Sequence, residues 1–104
     1  MNRLDEFVNT ATPDAFFGDK NAFQVRLAFG PAKELSIVSH KGSYGGKQGL
    51  FEIGVFHNGD MIEMDGITQP GDTVKGFLTK DEVDGIIVKM FTLTGHDPEQ
   101  IYGE

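Results

Sequence analysis

The chain has 104 residues, 38% hydrophobic and 24% charged, the proportions of one soluble globular domain spanning 1–104 rather than a disordered tail or a two-domain enzyme. It contains no cysteine, which excludes disulfides, thiolate catalysis, iron–sulfur clusters and thiolate zinc sites, and its formal charge of −7 argues against direct binding of nucleic acid or an anionic membrane. No run of about 18 apolar residues offers a membrane span, and the opening residues Met1–Glu6 lack a basic head and apolar run, so a cytoplasmic protein is expected.

Asn2 can cap a short helical turn with Leu4, Phe7 and Val8 on one face, and Thr12-Pro13-Asp14 reads as cap, first-turn proline and first-turn acid of another turn ending at Gly18. Pieces this short are marginal in water, so residues 1–20 are expected to be partly mobile. From Ala22 to Phe29 the pattern alternates, with Phe23, Val25, Leu27 and Phe29 on one side, and predicts a half-buried strand. Gly30-Pro31-Ala32 breaks it, and 34–40 resumes as an antiparallel partner with Leu35 and Ile37 toward the core.

A third strand is expected over 49–56, followed by Asn58-Gly59, a pair suited to the positive φ angles of a type I′ hairpin turn. That turn sets Val55 opposite Ile62 and Ile53 opposite Met64, leaving Glu52, Gly54, Phe56, Met61 and Glu63 on the other face. Residues 68–72 read as a turn and 73–78 as a fifth strand weakened by Gly76. Thr79 and Glu82 form a capping box, after which Val83, Ile86, Ile87, Met90, Phe91 and Thr94 share one helical stripe closed by Gly95. Residues 96–104 read as a tail. The expected fold is α+β: an antiparallel sheet of four to five strands, a C-terminal helix packed on one face, and short N-terminal helical turns.

The place to look for chemistry is the loop His40-Lys41-Gly42-Ser43-Tyr44-Gly45-Gly46-Lys47-Gln48-Gly49. It is not a phosphate-binding P-loop: Lys41 stands where the first glycine belongs, Gln48 where the hydroxyl belongs, and a strand rather than a helix follows. Two readings compete, a long flexible connection or a binding loop held by rigid strands. His40, His57 and His96 lack metal-ligand spacing, and Asp60, Glu63 and Asp65 lack calcium-loop spacing, so no metal and no cofactor are expected. Ser36, Ser39 and Ser43 sit in no nucleophile motif, and a Ser43–His40 pair has no orienting acid; a non-enzyme is expected.

The stretch 35–40, then Ser43-Tyr44-Gly45-Gly46, then Gly49-Leu50-Phe51-Glu52-Ile53-Gly54-Val55, resembles a pattern in small uncharacterised proteins of tailed bacteriophages and prophages. There a hairpin, a short Val-x-Gly-x-Leu-Thr strand and a terminal helix follow, here Val74-Lys75-Gly76-Phe77-Leu78-Thr79 and the helix near Lys80. The resemblance covers about residues 34–92 and departs at Gln69-Pro70-Gly71, where turn residues are added. It implies a non-virion accessory protein in the cytoplasm of an infected bacterium, and no known activity.

The leading expectation is a module, monomer or homodimer, that binds and modulates or inhibits a host bacterial protein. Its contact residues would be His40, Lys41, Ser43, Tyr44, Gly45, Gly46 and Lys47 with Phe56 and Met61 on the adjacent sheet face, a rigid aromatic among adaptable polar neighbours, and exposure of Phe56, Met61 and Phe77 in one patch would favour it. The alternative starts from charge. Residues 1–50 carry 6 basic and 5 acidic side chains (+1), whereas residues 51–104 carry 3 and 11 (−8). Glu52, Asp60, Glu63, Asp65 and Asp72 could then mimic DNA phosphates toward a host nucleic-acid enzyme or defence system. A third reading, a small-molecule or nucleotide site, requires a closed pocket under the loop.

Overall fold

Strand alternation sets the centre of the molecule. In the computed structural model, which describes residues 3–7, 23–40 and 42–101, β1 (Phe23–Phe29), β2 (Lys33–Ser39) and β3 (Phe51–His57) pair antiparallel in sequence order. Val25 faces Ile37 and Leu27 faces Leu35 on one side; Ile37 faces Ile53 and Leu35 faces Val55 on the other. All six are buried, so one face of the sheet is a continuous apolar layer. Phe23 and Phe51 extend it with an edge-to-face contact, centroids 5.6 Å apart.

The Asn58-Gly59 turn has φ values of 52° and 88°, as type I′ requires, and returns the chain as β4 (Asp60–Ile62) with Val55 opposite Ile62. Here the expected register ends: β4 stops at Ile62, so Met64 does not face Ile53. Instead β5 (Val74–Leu78) takes over the same edge of β3, with Gly54 opposite Val74 and Ile53 opposite Lys75. Residues 63–73 form an excursion between the two half-edges. It is anchored by buried Ile67 and by Thr68, whose hydroxyl accepts the Met64 N–H at 3.0 Å. Its second turn, Gln69-Pro70-Gly71-Asp72, closes with Asp72 N–H donating to Gln69 C=O at 3.0 Å and Gly71 at φ 80°, a type II turn.

Helix α1 (Lys80–Thr94) begins at Thr79, whose hydroxyl accepts the Glu82 N–H at 3.2 Å while the Glu82 carboxylate accepts the Thr79 N–H at 2.8 Å. These bonds hold the Glu82 carboxyl below its ordinary pKa. Val83, Ile86, Ile87 and Met90 are buried in one cluster with the inner-face residues of the sheet. Phe91, expected in that stripe, is 39% exposed: it lies at its flank, one step round the helix from Met90. Ile62 and Met64 are only partly buried against the cluster. Leu4, in a 3₁₀ turn over Arg3–Glu6, is buried in it.

The tail is not loose where it is described. After Gly95 the chain returns and β6 (Glu99–Gln100) pairs with β1, Ile101 N–H donating to Arg26 C=O at 2.9 Å. The antiparallel sheet therefore has six strands rather than four to five, in the order β4-β3-β2-β1-β6 with β5 on β3, and with one helix makes an α+β fold. The turn expected over 12–18, and most of the segment 1–20, lie outside the described residues. No helix is long and apolar enough to cross a membrane among the described residues.

Candidate functional site

The loop joining β2 to β3 is a succession of closed turns. Ser43 N–H donates to His40 C=O at 3.0 Å, Gly46 N–H to Ser43 C=O at 3.1 Å, and Gln48 and Leu50 N–H both to Gly45 C=O at 3.0 Å. The Ser43 hydroxyl lies within the first of these, accepting the His40 N–H at 3.0 Å and donating to the His40 carbonyl at 2.9 Å. The imidazole Nδ1 of His40 accepts from Gly42 N–H at 3.0 Å. Ser43 and His40 thus fold the loop, with the Ser43 hydroxyl and the His40 Nδ1 directed at backbone. Any side chain at Gly46 would collide with the His40 carbonyl, so the fold of the turn depends on glycine there. Lys41 lies outside the described residues.

This loop is fastened to the sheet at two points. The Glu52 carboxylate, from β3, accepts the Tyr44 N–H at 2.9 Å, and the Tyr44 carbonyl accepts the Phe77 N–H at 3.3 Å from β5. The second bond exists because β5 is irregular. Leu78 pairs with Phe51 and Lys75 with Ile53, so Gly76 and Phe77 together oppose the single residue Glu52, a β-bulge. The bulge re-aims the Phe77 N–H toward Tyr44. A Cβ on Gly76 would lie 2.5 Å from the Tyr44 Cβ, so glycine permits the approach of the two chains.

Phe77 occupies the left-handed region at φ 56°, although it is not glycine. Its side chain is 59% exposed and that of Tyr44 is 61% exposed. Between them, with Ser43, Gly45, Lys47 and Gln48, lies a cleft of about 270 Å³ that opens to solvent rather than closing under the loop. Of Phe56, Met61 and Phe77, expected to be exposed in one patch, Met61 and Phe77 are exposed, Phe56 is half-buried, and Phe77 alone lines the cleft; Gly76, a glycine inside a strand, marks the close approach that brings it there.

The sheet-face residues expected beside the loop are placed elsewhere. Phe56 and Met61 pair across β3 and β4, and Phe56 lies four residues beyond Glu52, on the order of 13 Å along the strand. Phe56 is half-buried with the Arg26 guanidinium 4.3 Å above its ring, and Met61 is exposed, packing toward Gly54 beside Val74.

Three of the five carboxylates of the acidic alternative are occupied by backbone. Glu52 holds Tyr44; Glu63 accepts the Gly71 N–H at 2.8 Å; Asp72 accepts the Thr73 N–H at 2.8 Å. Asp60 is exposed at the start of β4 and Asp65 in the turn beyond it. The three histidines also stand apart. Lys33 Nζ donates to His57 Nδ1 at 2.9 Å, and the His96 ring lies where a side chain at Gly30 would be. Among the described residues no three His, Cys, Asp or Glu side chains converge.

Compared with protein-family models, with curated proteins and with solved structures, the chain matches none of them.

Proposed function

We propose that the chain is a non-catalytic binding module that docks onto another protein through Tyr44 and Phe77. The observation that supports this reading most is that two exposed aromatic rings flank one cleft on chain segments bonded to each other, one ring standing on strained backbone. Such strain persists only where surrounding structure imposes it, and it concentrates at binding sites. Rigid aromatic anchors ringed by Ser, Gly and Gln give large contact area at small entropic cost. The resemblance to tailed-phage proteins makes the partner a host bacterial protein, which the module inhibits or modulates by covering part of its surface. The DNA-mimic alternative is the weaker reading, because Glu52, Glu63 and Asp72 are engaged within the fold.

The test is affinity capture from bacterial lysate on three immobilised proteins: wild type, Tyr44→Ala, and the double change Asp60→Asn with Asp65→Asn. A partner retained by wild type and the double variant but lost on Tyr44→Ala is the expected result. A partner held equally by Tyr44→Ala, or lost only from the double variant, would refute the reading.

A further inference from the structure

We infer that the Tyr44–Phe77 cleft receives an acidic peptide segment bearing one large apolar side chain, a refinement that rests on the binding-module reading above. The cleft, about 270 Å³ and open to solvent, has two aromatic walls that suit the burial of a single large apolar side chain. The charge that lines the cleft is a cation, whereas the whole chain carries −7. Lys47 is the one charged residue among the described residues that line it.

The carboxylate nearest the loop, Glu52, is bonded to the Tyr44 N–H. Lys47 lines the cleft, is exposed, and has no ion-pair partner among the described residues. A partner carboxylate beside the buried apolar side chain would meet Lys47, and the neighbouring Gln48 amide adds a hydrogen-bond donor. Nucleic acid would also use stacked rings and lysine, but its flanking phosphates would run from this single lysine onto a chain of net charge −7.

The test is to pan a random dodecapeptide display library on immobilised wild-type protein and then measure the best synthetic peptide by fluorescence polarisation. Enriched sequences should place Asp or Glu within a few positions of Phe, Tyr, Leu or Met. The peptide should lose at least about tenfold affinity on Tyr44→Ala and on Phe77→Gly. Lys47→Glu, a change at an exposed side chain that bonds nothing in the fold, should weaken it about three- to tenfold and favour the same peptide with its acid replaced by Lys. Enrichment without acidic bias that still needs Tyr44 would overturn the inference and leave the binding-module reading standing. Peptides indifferent to Tyr44→Ala and Phe77→Gly would overturn both. No enrichment at all, or labelled oligothymidylate binding that Tyr44→Ala abolishes, would overturn the inference.

Discussion

An L-residue in the left-handed region costs on the order of 1–2 kcal/mol, and an exposed phenylalanine regains little of that by burial. Phe77 combines both, with φ 56° and more than half of its surface in water. Glycine at this position would relieve the backbone and cost about 0.5–1 kcal/mol through greater freedom of the unfolded chain. Phe77→Gly should therefore leave stability to urea unchanged or raise it by up to about 1 kcal/mol, while abolishing docking at the cleft. A loss above about 1 kcal/mol would mean that the ring serves the fold. The loop around Tyr44 could be singled out from its residues, because Ser, Tyr and Gly between two alternating strands are unusual. Phe77 reads from the sequence as an exposed aromatic, but its place beside Tyr44 could not be read, since nothing local favours a positive φ at phenylalanine; the cause is the bulge opposite Glu52, a feature of tertiary pairing.

Elements whose signals are local follow their residues closely. Asn58-Gly59 makes its hairpin turn and Thr79 with Glu82 makes its capping box, because the bonds close within four residues. Thr79→Ala should lower stability by about 1 kcal/mol in denaturant unfolding. The Glu82 carboxyl lies below its ordinary pKa, chiefly through the backbone bond from Thr79, then its hydroxyl contact and the charge of Lys75. A depressed folded-state pKa stabilises above the ordinary carboxyl range, about 4.3, and the gain is lost as pH falls through the folded value. The stability gap between wild type and Glu82→Gln should accordingly be larger at neutral pH than near pH 3; an equal gap at both would contradict the bonding described. Ile87, buried in the core cluster, should cost about 2–5 kcal/mol as Ile87→Ala, and a loss below half of about 1 kcal/mol would exclude it from the core. Short pieces escaped sequence reading. Glu99-Gln100 has no alternation to reveal it, and the edge of β3 is divided between β4 and β5 by a return of the chain after residues 63–73.

Charge looks divided along the chain, +1 over residues 1–50 and −8 over 51–104, but the fold does not keep the halves apart. Strand β3, the start of the acidic half, pairs directly with β2 and brings Glu52 against the Tyr44 loop. What results is a mainly acidic molecule with a small aromatic island built from both halves, where Tyr44 and Phe77 flank a cleft whose one charged lining residue, among the described residues, is Lys47. The central claim is that this island, not the carboxylates, is the contact surface. It is tested most directly by isothermal titration of the lysate-captured partner, once purified, against wild type, Tyr44→Ala and the Asp60→Asn, Asp65→Asn double variant at low and high salt. Tyr44→Ala should weaken binding at least about 30-fold, the cost of losing a hot-spot aromatic, while the double variant stays within about threefold of wild type. Unchanged affinity in Tyr44→Ala, with steep salt dependence and loss of binding in the double variant, would contradict the account.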